Sequence, residues 1–157
     1  MRSGRAAAPD VKTPLTVLVA EDEENDFMLL ESALRKTNRP LNVQWVKDGV
    51  EAIRYLKGEG PFGDRSRFPV PQVIMLDLKM PGATGMEVLG WIRENPGYRV
   101  IPTLVMSSSR QQEDVKNAYA LGANTYFVKP HSFDTLVDLC EKITGYWDYG
   151  VKPNLPS

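Results

Sequence analysis

The chain alternates between short apolar runs and longer stretches whose apolar residues return every three or four positions. Val17-Leu18-Val19, Val73-Ile74-Met75-Leu76, Leu104-Val105-Met106 and Tyr126-Phe127-Val128 are continuously apolar, as strands covered on both faces of a sheet must be. The run NVQWV, from Asn42 to Val46, is mixed and predicts an edge strand. Between the runs lie helical patterns. Phe27, Leu30 and Leu34 mark one face of a first helix, Ile53 and Leu56 a second, Leu89 and Ile92 a third, Val115 and Ala118 a fourth. Leu136, Leu139 and Ile143 mark a fifth. Five strand–helix units in alternation predict a parallel sheet with right-handed crossovers, a doubly wound α/β domain of five strands.

Local punctuation agrees with these boundaries. Pro40 separates the first helix from the second strand, Gly122 stands where the fourth helix needs a left-handed residue, and Ser132 is placed to cap the fifth. Lys57 to Gln72, rich in Gly, Pro and charge, reads as a loop longer than such connections usually are. Residues 1–14 read as a flexible tail, 15–146 as the domain, and 147–157 as a C-terminal extension.

Composition narrows the function by exclusion. A chain of 157 residues suits one domain with a real core, and a formal charge of −1 gives no drive toward nucleic acid or membrane surfaces. Cys140 stands alone, so an internal disulfide is excluded and a packing role is the expectation. No run approaches the length of an apolar membrane span, and MRSGRAAAPDVKTP is too weak for a secretory signal. The expected location is the cytoplasm.

The candidate chemistry sits at the ends of the apolar runs. Glu21-Asp22 follows TVLVA, Asp77 closes VIMLD, Ser107 closes TLVMS, and Lys129 closes TYFVK. In an open parallel sheet these carboxyl ends form the rim where ligands bind. Three carboxylates brought together repel, so a proton or a cation must intervene. Mg²⁺ is the natural choice, because it takes oxygen ligands and meets phosphate. Lys129 adds a positive charge and Ser107 a hydroxyl. Such a set can hold the oxygens of a phosphoryl group while an aspartate attacks phosphorus. Taken singly, the residues have plainer readings: Asp22 or Glu23 as a helix cap, Ser107 as part of a triple-serine loop, Tyr126 as a strand aromatic. His131 has no Cys/His cluster around it and reads as a loop residue. KGEGPFG has no phosphate-cradling spacing, and MPGATG reads as the turn from Asp77 into the third helix.

The motifs VAED, LDLKMPGATG, VMSSS and GANTYFVKP, in that order over roughly residues 15 to 146, resemble the receiver domain of two-component response regulators, the CheY-like family. The resemblance implies a flavodoxin-like sheet in the order 2-1-3-4-5. It makes Asp77 the phosphoacceptor and gives Mg²⁺ to Glu21, Asp22, Asp77 and the backbone carbonyl of Lys79. Ser107 and Lys129 would bind the phosphoryl group, Ser107 and Tyr126 would switch together, and Pro130 would follow a cis bond. Glu21 stands where many relatives have aspartate. The implied protein promotes its own phosphotransfer and slow hydrolysis without acting on an external substrate. Three alternatives are weighed: a pseudo-receiver that binds without phosphate, an aspartyl-phosphate phosphohydrolase, against which Lys79 counts because that class has an acid there, and a flavodoxin-like FMN binder, against which AEDEEND counts because it would repel phosphate without a metal. Only YWDYGVKPNLPS follows the fifth helix, so output is expected through protein contacts around the fourth helix, fifth strand and fifth helix. The long loop and the W-x-x-x-V-x-x-x-L-P tail are similar to regulators that serve phytochrome-type histidine kinases. The aromatic tail would pack on its own domain or reach a second subunit, which makes a homodimer the expectation, through this C-terminal arm or through the face of the fourth helix, fifth strand and fifth helix.

Overall fold

The computed structural model describes residues 13–150 and 152–156. The predicted tail therefore lies, for residues 1–12, outside the described residues. Five parallel strands pair in the order β2-β1-β3-β4-β5. They are β1 (Leu15–Ala20), β2 (Leu41–Val46), β3 (Val73–Leu76), β4 (Thr103–Ser107) and β5 (Thr125–Val128). The helices are α1 (Glu24–Arg35), α2 (Gly49–Lys57), α3 (Gly85–Glu94), the short α4 (Pro96–Arg99), α5 (Gln112–Ala120) and α6 (Phe133–Tyr149). The predicted fourth and fifth helices are thus α5 and α6. The mixed run is indeed an edge strand: β2 pairs only with β1, and five of its six residues are partly exposed.

The period of two along β1 divides the core. Leu15, Val17 and Val19 point to one face, packed with Phe27, Leu30 and Leu34 of α1 and Leu136, Cys140 and Ile143 of α6. Leu18 and Ala20 point to the other, with Tyr55 and Leu56 of α2, Val88 and Leu89 of α3 and Ala118 of α5. Burying both faces is why β1, β3 and β4 carry no solvent-facing positions. Caps fix the helix starts. Asp48, Thr84 and Ser132 accept backbone N–H groups of Glu51, Glu87 and Thr135. Gly122, at φ 100°, turns the chain out of α5 as the sequence implied.

Three features depart from the sequence reading. The four-residue α4, opened by Pro96, was not foreseen. The long loop holds a 3₁₀ turn at Gly60–Phe62, and a small core of Tyr55, Phe62 and Phe68 rings at centroid distances of 5.1 to 6.1 Å ties it down. Helix α6 runs through Tyr149, past the boundary placed at 146. Its last turn is held because Asp148 pairs with Arg39 from the α1–β2 connection, Trp147 packs on the α1/α6 core, and Lys152 donates to the carbonyls of Trp147 and Gly150. Beyond the helix, Leu155 packs against the core on the opposite side of the sheet, so this part of the tail lies on its own domain.

Candidate functional site

Strand pairing continues one residue past the ends of β1 and β3, and this places the acids. The Asp77 N–H donates to Ala20 O at 3.0 Å and the Glu21 N–H to Val46 O at 3.0 Å. On the other side, the Lys129 N–H donates to Ser107 O at 2.8 Å. Glu21 and Asp77 are consequently buried, at 5% and 7% exposure. Asp22 joins them, and one oxygen from each of the three lies within 4.8 Å of the others. Lys129 reaches in from β5. Its Nζ donates to Glu21 Oε1 at 2.6 Å, Asp26 Oδ2 at 2.7 Å and Asp77 Oδ2 at 3.3 Å.

The floor of the site depends on a close backbone approach. The Gly85 N–H donates to Leu78 O at 3.0 Å, and a Cβ on Gly85 would lie 2.2 Å from Asp77 O. MPGATG is therefore the turn from Asp77 into α3, as the sequence implied. Only a glycine lets the start of α3 sit against the end of β3.

The electrostatics follow from burial and crowding. Burial pushes the Glu21 carboxyl up to about 7; the Lys129 hydrogen bond opposes this and the neighbouring Asp77 charge adds to it. Burial alone disfavours the charged form of Lys129, but its hydrogen bonds to Asp26 and Glu21 and the charge of Asp77 outweigh that and hold its pKa above the ordinary value. Asp22 Oδ1 is buried with no hydrogen-bond partner. A buried acceptor left unpaired costs about 1–3 kcal/mol. An oxygen of this kind, beside two further carboxylates, is what a hard divalent cation satisfies. The donor set fits Mg²⁺ or a similar ion, and among the described residues no other group of carboxylates, Cys or His is gathered this way.

The structure thus brings Glu21, Asp22, Asp77 and Lys129 together. Ser107 is fully buried at the end of β4, where its Oγ accepts the Ser109 N–H at 3.2 Å. The Lys79 N–H donates to Asp77 Oδ1 at 3.2 Å while its side chain is exposed. Tyr126 reaches the β4–α5 connection, its hydroxyl donating to Ser109 O at 2.8 Å. His131 is exposed beside Arg110, 3.4 Å away. One expectation is corrected. No peptide bond among the described residues is cis, so Lys129–Pro130 is trans, the lower-energy isomer; the aim of Lys129 comes from the Ser107 backbone bond and its three carboxylates.

Two contributors were not foreseen. Asp26, in the first turn of α1, shares Lys129. Trp45 stacks on Phe27 at 4.2 Å, and its indole N–H donates to Glu21 O at 2.8 Å, anchoring the acidic pair from the edge strand. Nothing local marks the first, whose partner Lys129 is 103 residues away. Nor does anything local mark the second.

Comparison with known proteins agrees with this geometry. The model of the response regulator receiver domain family matches residues 17–141. The probable methanogenesis regulatory protein FilR2 of Methanothrix harundinacea is 34% identical, over 88% of this chain and 86% of its own. Response regulator Rcp1 of Synechocystis is 30% identical over 85% of this chain and 89% of its own, and its Mn²⁺-bound structure superposes with a TM-score of 0.77 over 92% and 100% of the chains. The structure of phosphorylated RcpA, a cyanobacterial phytochrome response regulator, gives a TM-score of 0.82 at 32% identity, covering 90% of this chain and all of RcpA. No helix among the described residues is long and apolar enough to cross a membrane. With a five-stranded sheet in the order 2-1-3-4-5 and a receiver match over most of its length, the chain belongs to the response regulator receiver family of two-component signalling.

Proposed function

We propose that the protein is a receiver that takes a phosphoryl group on Asp77 from a sensor histidine kinase in a Mg²⁺-dependent reaction, in the cytoplasm. The observation that carries this reading is the buried Asp77 carboxylate, crowded by Glu21 and Asp22 and reached by Lys129 Nζ at 3.3 Å. In the transfer, an Asp77 oxygen forms a bond to phosphorus as the phosphorus–nitrogen bond of a phosphohistidine breaks. The electron pair leaves with the imidazole, which takes up a proton. Lys129 holds one phosphoryl oxygen and the Ser107 hydroxyl donates to another. Mg²⁺, held by Glu21, Asp22, Asp77 and the Lys79 carbonyl, would supply the charge neutralisation that lets two anionic groups meet. Catalysis of this kind is mostly positioning. The same constellation serves slow hydrolysis of the product without action on an external substrate.

A phytochrome-type kinase is the partner we favour, because RcpA, at TM-score 0.82, is a phytochrome response regulator. Output would run through the α5–β5–α6 face, as Tyr126 ties β5 to Ser109 beside Ser107 and so links the site to that face. We also place a homodimer contact there, where β5 ends the sheet and Tyr119 and Tyr146 stand exposed; sedimentation of wild type and Tyr146→Glu, with and without phosphorylation, tests it, and an unchanging monomer rules it out.

Intact mass after incubation with acetyl phosphate tests the chemistry. A phosphoryl-sized gain is expected with Mg²⁺, and none with EDTA or with Asp77→Asn. If acetyl phosphate and a phosphorylated phytochrome-type kinase both leave the mass unchanged, the protein is a pseudo-receiver.

A further inference from the structure

The ammonium of Lys129 has three N–H donors and no more, and three carboxylates take them: Glu21, Asp26 and Asp77. Two of these belong to the oxygen cluster that suits a cation; Asp26 does not. Asp26 lies in the first turn of α1, with its side chain 42% exposed against 6% for Glu21 and 8% for Asp77. The distances are also unequal, 2.7 Å to Asp26 and 3.3 Å to Asp77, so the ammonium stands toward the α1 side of the site.

We propose that Asp26 is a positioning residue that restrains Lys129, its carboxylate holding the ammonium at the α1 edge of the site so that a phosphoryl group on Asp77 must compete for it. The inference deepens the phosphoacceptor reading and rests on it. Since every donor is already engaged, a phosphoryl oxygen gains its bond only when another acceptor gives one up. Glu21 and Asp77 weaken as acceptors once they share a cation, and Asp77 loses its charge once it is esterified. Asp26, outside the cation cluster, has no such second duty. The hold it exerts therefore sets how readily Lys129 turns to the phosphoryl group.

Titration calorimetry with beryllofluoride, a phosphoryl mimic, at saturating Mg²⁺ tests this on wild type, Asp26→Asn, Asp26→Glu and Glu24→Gln. Mg²⁺ alone is titrated onto the same four proteins. Glu24 is an exposed acid in the same helical turn, and the Lys129 ammonium bonds Glu21, Asp26 and Asp77 instead, so it controls for surface charge. Exposed ion pairs set the scale: Asp26→Asn should bind beryllofluoride about two- to fivefold more tightly. Asp26→Glu should return to the wild-type affinity, Glu24→Gln should match it, and affinity for Mg²⁺ alone should hold. An Asp26→Asn affinity equal to or weaker than wild type overturns the inference. So does an equal gain in Glu24→Gln, which would mean general surface charge, or an equal change in Mg²⁺ affinity, which would mean an effect on the cation. A wild type that takes Mg²⁺ but no beryllofluoride brings down the phosphoacceptor reading itself, and this inference with it.

Discussion

Gly85 shows how a single missing side chain holds the site together. A Cβ there would lie 2.2 Å from Asp77 O and 2.5 Å from Leu78 Cα, both backbone atoms that no rotamer change can move. Gly85→Ala must push α3 away from β3. Overpacking of this kind costs about 1–3 kcal/mol, so thermal unfolding should move down by several degrees, and acetyl phosphate labelling of Asp77 should fall with it; an unchanged melting curve would refute the close approach. Cys140 and Tyr55 give a second residue-scale prediction. Burial pushes both up to about 12, from 9.0 and 10.0. Both bind their protons more tightly folded than unfolded, so their contribution to stability is whole below about pH 9 and drains away as pH rises toward 12. Circular dichroism should show unfolding setting in across that alkaline window. Native Cys140 should also resist iodoacetamide at pH 9 while reacting promptly in urea. Of the site, Glu21, Asp22, Asp77 and Lys129, which the structure brings together, were legible because each follows an apolar run, and the rim of a parallel sheet is a property of topology. Asp26 and Trp45 were not, since their contacts to Lys129 and Glu21 are rotamer choices between segments distant in sequence.

At the scale of elements, the 57–72 connection is ordered by one side chain. Arg65 donates to the carbonyls of Tyr55, Leu56 and Phe68, so the Leu56 acceptor that α2 leaves open at its C-terminus is satisfied from the loop, and Tyr55 O, which already takes the Gly58 N–H, gains a second donor. The ring cluster of Tyr55, Phe62 and Phe68 then packs around the same point. Charged hydrogen bonds of this sort contribute roughly 1.5–3 kcal/mol. Arg65→Ala should lower global stability by an amount of that order and open the loop to limited proteolysis before the rest of the domain unfolds; equal cleavage rates in wild type and variant would show that the rings hold the loop alone. Composition made this stretch legible as a loop, but Gly and Pro content says nothing about which arginine reaches which carbonyl. The five strands and the predicted helices were legible from period alone, because β1, β3 and β4 are buried on both faces and β2 is half-buried. The last turn of α6 was not. Gly145 and the exposed Tyr146 and Tyr149 hide its apolar period, and Arg39, which holds Asp148, comes from a distant loop.

For the whole molecule, the two cores stabilise the sheet from either side while the rim between β1 and β3 works against them. Three carboxylates converge there, burial pushes the Glu21 carboxyl up to about 7, and Asp22 Oδ1 is buried without a partner. With Mg²⁺ held here as proposed, global stability should depend on the cation more than the size of one surface site suggests. An ion that binds the folded chain at a hundred times its Kd adds about 2.7 kcal/mol, and here it would also relieve the repulsion and supply the missing partner for Asp22. Asp22→Ala separates these effects. It deletes one of the three charges together with the unpaired oxygen, so in EDTA the variant should melt above wild type. It also deletes a ligand, so adding Mg²⁺ should raise the wild-type midpoint strongly and the variant's little, reversing the order of the two. Calorimetry of both proteins with Mg²⁺ and with EDTA reads this directly. Parallel shifts would mean that Asp22 is no ligand, and a wild type indifferent to Mg²⁺ would mean that the rim holds its charges apart without a cation. A crossing would show that stability at this rim is sacrificed in the metal-free state for a site that closes around a cation, which is the condition Asp77 needs to meet an anionic phosphoryl group.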